Sequence, residues 1–147
     1  MAKDFVKAKG KVTLVLTGSD GVVKETREVE NLVVQTGLNY IASRMKDATA
    51  TVMTHMGLGT SSTAATLAQT ALVTAVGVRV ALTSTTVTTS SVAYACTFGA
   101  GVATGAITEA GIFSALTAGT MLCRTVFSVI NKGAADTLTI TWTIAVS

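Results

Sequence analysis

The sequence predicts a mainly β chain, an antiparallel β-sandwich or jelly roll of about eight strands with one short helix near residues 37–46. Three observations carry this prediction. Apolar and polar residues alternate with period 2 through much of the chain, the pattern of strands with one buried face. Threonine fills 27 of 147 positions and proline none, so β-branched residues abound and the residue that interrupts ladders is missing. Only one segment, Leu38, Ile41, Ala42 and Met45, shows the i, i+3, i+4, i+7 spacing of a strong helical face. The length fits one domain over 1–147 that can bury a core without staples, with residues 1–10 read as an extended N-terminal arm.

The first strand is Lys11–Thr17, with Val12, Leu14 and Leu16 on one face. Gly18-Ser19-Asp20-Gly21 supplies turn chemistry, and Val22–Val29 returns with Lys24, Glu25, Arg27 and Glu28 toward solvent. Leu32-Val33-Val34 leads into the helix, for which Thr36 is the expected N-cap, with Arg44 and Lys46 in the last turn facing the negative dipole end. Val52–Leu58 reads as a strand with Val52, Thr54, Met56 and Leu58 on one side and Met53 and His55 on the other. A loop follows over 59–63, and Thr66–Leu72 has room for one helical turn. Val76, Val78, Val80 and Leu82 alternate as a strand, and so do Val92, Tyr94, Cys96 and Phe98. Strands are expected at Ile107–Phe113 and Met121–Ile130, with a turn at Asn131-Lys132-Gly133. The last strand is the cleanest: Leu138, Ile140, Trp142 and Ile144 alternate with Thr137, Thr139, Thr141 and Thr143.

Charge is scarce and unevenly placed. Charged residues make up 13% of the chain, about half the usual share. Residues 1–47 hold 14 of the 19 charges, and beyond them stand only Arg79, Glu109, Arg124, Lys132 and Asp136. The two long uncharged stretches are not membrane helices, because Thr, Ser and Gly interrupt them and the apolar pattern alternates. The N-terminus lacks the apolar run of a secretory signal. Lys7, Lys9 and Lys11 would share one side of an extended strand, but no aromatic platform accompanies them, so no nucleic acid is expected as partner.

Candidate chemistry is sparse. His55 is the sole histidine, and Cys96 and Cys123 do not have metal-ligand spacing with it. The two cysteines sit in alternating apolar stretches, which suits buried thiols; their spacing also leaves a disulfide open. Glu109 and Asp136 are the only carboxylates beyond residue 47, too few to suggest an acid–base pair. The run from Gly57 to Ser62 lacks the lysine of a phosphate-binding loop. The threonine row suits ice binding, a protein contact or a solvated face. The chain is therefore not expected to be an enzyme, and no catalytic, metal, cofactor or partner-contact residue is assigned.

Four segments carry a resemblance: Asn31–Met45 (NLVVQTGLNYIASRM); Met53–Thr60 (MTHMGLGT); Phe98–Gly101 with Gly105–Phe113 (FGAG, GAITEAGIF); and Met121–Phe127 running through Asn131–Asp136 to Trp142 (MLCRTVF, NKGAAD). Together they resemble structural proteins of the tailed-bacteriophage virion, most closely the small jelly-roll capsid cement or decoration proteins of short-tailed phages. The resemblance implies a place on the capsid exterior, the major capsid protein as partner, and a homo-oligomer, preferably a dimer. It implies no cofactor. A tail-fibre or baseplate component, receptor-binding or structural, is the alternative reading.

Overall fold

The computed structural model describes residues 7–46 and 50–147. The strands are β1 (Ala8–Thr17), β2 (Val23–Val33), β3 (His55–Gly59), β4 (Ala75–Ala81), β5 (Ser84–Thr88), β6 (Ser91–Phe98), β7 (Gly105–Phe113), β8 (Met121–Lys132) and β9 (Thr137–Val146), with one helix, α1 (Gln35–Arg44). All pairings are antiparallel, in the order β4-β3-β7-β8-β2-β1-β9-β6-β5. This curled sheet forms a mainly β, sandwich-like fold, as expected from the alternation.

Two corners join its halves. β2 pairs with β1 along most of its length, but meets β8 only through Leu32 and Val33. Where β2 and β8 then part, Arg27 bridges the gap by donating to the carbonyls of Ser128 (2.9 Å) and Val129 (3.3 Å). At the other corner only Leu82 and Thr83 separate β4 from β5, the two ends of the sheet. Strands that switch sheets in this way make the corners of β-sandwiches.

The core lies between the halves. Val12, Leu14 and Leu16 of β1, Leu138, Ile140, Trp142 and Ile144 of β9, and Tyr94, Cys96 and Phe98 of β6 face Met56, Leu58, Ile107, Ile112, Leu122 and Ile130. Cys96 and Cys123 are buried free thiols. Burial raises the Cys96 pKa to about 11 and Cys123 well above its ordinary value.

The outer face of the β4-β3-β7-β8 half is covered over β3, β7 and the start of β8. Leu72, from the long loop over 60–74, packs with Val34, Phe113 and Met121. Helix α1 lies beside β8, and its placement differs from expectation. It starts at Gln35 with Val34 as N-cap and no side-chain cap; the Leu67 carbonyl accepts the Gln35 N–H at 2.9 Å instead. Thr36 is inside the helix and donates to the Met121 carbonyl at 2.8 Å. The buried helical residue is Gly37, with Tyr40 and Ile41 packed partly against the core. The expected face is rotated away: Leu38 is partly exposed and Met45 is 86% exposed. Gly37 sets this rotation, because its Cα sits against the Leu122 carbonyl where any Cβ would collide.

Other boundaries also shift. The strand expected from Val52 starts at His55, and Met53 rather than Val52 is buried. Thr66–Leu72 forms a turn around Leu67 and Ala68 but no helix. In β4, residues 77–79 bulge opposite Gly57, with Gly77 at φ 65°, so Val78 turns to solvent instead of continuing the alternation. β5 was not expected; all five of its residues are exposed, so no buried face marks them. Lys132 is still in β8, and the following turn is closed by Gly133 and Asp136. Ala8–Gly10 of the expected arm pair with β9, and residues 1–6 lie outside the described residues.

Gly37→Ala separates propensity from packing. Helix propensity alone would stabilise the variant by about 1 kcal/mol. The collision with Leu122 predicts a loss of roughly 1–3 kcal/mol in urea unfolding, while exposed Asn39→Ala stays within about 0.5 kcal/mol of the parent.

Candidate functional site

Five charges stand beyond residue 50, and all five are engaged within the fold. Glu109 and Arg124 are fully buried on the covered side of β7 and β8. Glu109 stands opposite Gly59 of β3, and Arg124 opposite Gly111 of β7, so the two side chains are diagonal neighbours flanked by glycines. Gly59 is required there: a Cβ would lie 2.6 Å from the Glu109 Cγ. The Arg124 Nη2 donates to Glu109 Oε2 at 3.2 Å.

The pair also orders the 60–74 loop. Glu109 accepts from the backbone N–H of Val73 (2.8 Å), Ser61 (3.2 Å) and Thr74 (3.4 Å). The Arg124 Nη1 donates to the Thr63 carbonyl (2.9 Å) and Gln69 Oε1 (3.1 Å). Both ends of the loop are held by one ion pair. Both Glu109 carboxylate oxygens accept hydrogen bonds from these donors.

The other three charges act similarly. The Arg79 guanidinium lies 3.5 Å from the Phe113 ring centroid and donates to the carbonyls of Ala115 (3.0 Å) and Ala118 (2.7 Å). Burial lowers its pKa. Lys132, also lowered by burial, donates to the Gly99 carbonyl at 2.8 Å. Asp136 accepts from Lys24 Nζ and the Gly133 N–H, both at 2.8 Å. These two bonds, Lys24 first, hold its pKa below the ordinary 3.8.

The candidate chemical residues are not brought together into one site. His55 is half-buried at the start of β3, its Nδ1 2.7 Å from Thr54 Oγ1. It pairs with Phe113, four residues along β7 from Glu109, a separation of about 13 Å at strand rise. Asp136 is in the β8–β9 turn. Among the described residues no three His, Cys, Asp or Glu side chains are placed to hold a metal ion, and no helix is long and apolar enough to cross a membrane. Gly57 and Gly59 belong to β3, where they stand close to Arg79, Phe113 and Leu72 and to Glu109 and the Thr74 carbonyl.

The open feature is the outer face of β2-β1-β9-β6-β5. Register carries the threonine row of β9 across the half-sheet. One rung runs Glu28, Thr13, Thr141, Ala95, Ser84, and the next Glu30, Lys11, Thr143, Ala93, Thr86. A third holds Thr26, Val15, Thr139 and Thr97. Charge lies at the β2–β1 border, where Lys11 pairs with Glu28, and from β9 to β5 these rungs are Thr, Ser and Ala. The width of this array needs the strand order, which places β9 between β1 and β6; sequence showed only one row.

Beneath the β5 end, a groove of about 330 Å³ opens between α1 and the half-sheet, lined by Tyr40, Ile41, Val52, Val87, Val92 and Tyr94 among others. Burial pushes the Tyr94 pKa up to about 12. Comparison of the chain with protein-family models, curated proteins and solved structures found no match.

Removing either partner of the buried pair strands the other. Glu109→Gln and Arg124→Met should each lose about 3–5 kcal/mol in urea unfolding and admit protease cleavage within 60–74. A loss under about 1 kcal/mol with an intact loop would contradict this role.

Asp136 gives a pH test. Its folded pKa lies below the unfolded value, so its stabilisation is present above about pH 4 and is lost as pH falls through the folded value. The urea midpoint of Asp136→Asn should therefore fall less than that of the parent between pH 6 and pH 3.

Proposed function

We propose that this chain is a non-catalytic capsid cement protein that lays the outer face of β2-β1-β9-β6-β5 on the outside of a phage head and bridges neighbouring copies of the major capsid protein. The observation that carries the reading is the destination of charge. Every charge beyond residue 50 is engaged within the fold, and one whole half-sheet face from β9 to β5 is left neutral and small-sided. Interface cores are depleted in charge because a desolvated charge is costly unless paired. A Thr/Ser/Ala face loses little on desolvation and can still make hydrogen bonds. The bacteriophage resemblance of segments 31–45, 53–60, 98–113 and 121–142 supports the same address.

A protein that binds assembled shells but not dispersed subunits stabilises the shell by mass action, by about 2.7 kcal/mol per site at a hundredfold excess over Kd. Added to decoration-free particles, it should raise their melting temperature. Thr141→Glu, on an exposed site at the centre of the face, should abolish the rise while leaving the chain's own unfolding unchanged. An unchanged particle melting temperature with the parent protein would defeat the proposal. The groove with Tyr40 and Tyr94 favours the second reading, a tail-fibre or baseplate component that recognises a receptor. A few copies per virion, rather than a number near that of the capsid protein, would favour it.

A further inference from the structure

The sheet has two ends, and they are treated differently. At the β4 end, the bulge over 77–79 breaks the ladder and Arg79 folds its charge beside it. Bulges and charges are the usual guards of an edge strand. At the β5 end there is no such guard. Ser84-Thr85-Thr86-Val87-Thr88 contains no charge, proline or glycine, pairs with β6 through five unbroken rungs, and is exposed at every residue. Among the described residues no strand pairs with its other edge.

We propose that β5 is the docking edge for a second copy of this chain, joined as antiparallel β5–β5 across a twofold axis. Full overlap of the five-residue strand with itself places Thr86 opposite Thr86, Thr85 opposite Val87, and Ser84 opposite Thr88. Such an interface is isologous, and both strands gain partners for their free backbone groups. No like charges meet in it. The charged β1–β2 hairpin lies at the far side of the half-sheet; β1 and β2 are three and four strand spacings, about 14 and 19 Å, from β5, beyond one Debye length at physiological salt. The nearest charge is Arg44, which lines the groove beneath β5 and donates to the Ala50 carbonyl, so the strand edge itself offers a like-charged copy an uncharged border.

Pairing also has a consequence on each side. On the inner side, Thr85 and Val87 form one rim of the groove, and Val87 is 71% exposed in the single chain. The partner copy's strand covers that apolar rim. On the outer side, the neutral Thr/Ser/Ala face continues from one copy into the next, doubling its width. The inference stands on the strand edge alone and does not rest on a capsid address.

The test is sedimentation equilibrium of the full chain together with two variants at Thr86. The parent should sediment as a dimer and Thr86→Lys as a monomer with the parent's circular dichroism, since the site is exposed. Thr86→Cys should form a disulfide-linked dimer under mild oxidation, because directly opposed strand residues lie about 4.5–5.5 Å apart at Cα, within disulfide reach. Thr141→Cys, on the open face, should not; the native thiols are buried and do not compete. A monomeric parent, a dimer that survives Thr86→Lys, or equal cross-linking at 86 and 141 would each overturn the inference. Loss of particle binding in Thr86→Lys with a monomeric parent would mean that the edge receives a foreign strand, and would overturn it too.

Discussion

Taking a charge out of water costs several kilocalories per mole unless a partner stands ready, and this constraint organises the molecule. Five charges serve the last hundred residues, and each is engaged within the fold. Glu109 and Arg124 meet each other in a site vacated by Gly59 and Gly111, and three loop amides complete the carboxylate's coordination. Arg79, Lys132 and Asp136 each hold a turn or loop through carbonyls or an amide. The charges act as anchors for irregular backbone.

That use of charge makes the two halves of the sheet unlike. Anchoring the 60–74 loop brings Leu72 over Phe113 and Met121 and presents the Leu67 carbonyl to the first turn of α1. β3, β7 and the start of β8 are thereby covered on both sides, and β7 is buried along most of its length, while β4 stays largely exposed. The other half receives no cover among the described residues. The inner faces of β1, β9 and β6 join the core, and the outer face of the half is Thr, Ser and Ala except along the β1–β2 border. The proposed contact face is what remains once the charged residues have been used to fasten the loops.

The parts of this that were legible in sequence are those where one face of an element is buried and the other is not. β1, β6 and β9 show it: Val12 to Leu16, Tyr94 to Phe98 and Leu138 to Ile144 alternate in the sequence and are buried in the structure. β5 was illegible because exposure on both faces imposes no alternation. The helix was found but turned, since the residue that sets its rotation, Gly37, acts by having no side chain and leaves no hydrophobic mark. Val78 misled because a bulge reverses the face of a residue without changing the sequence pattern around it. Glu109 and Arg124 carried a local signal, a charge inside an apolar strand, but their partnership depends on the β7–β8 register and on a loop some 40 residues away. The threonine row was visible; that it is one column of an array was not, because β1, β6 and β9 are distant in the chain.

The central proposal is that another protein covers the neutral half-sheet face. Hydrogen exchange of the chain, free and bound to decoration-free capsids, tests it most directly. Added protection is expected in the outer rungs of β9, β6 and β5, with the β1–β2 turn at residues 18–22 exchanging as in the free chain. Protection confined to that turn, or none anywhere on the bound chain, would contradict it.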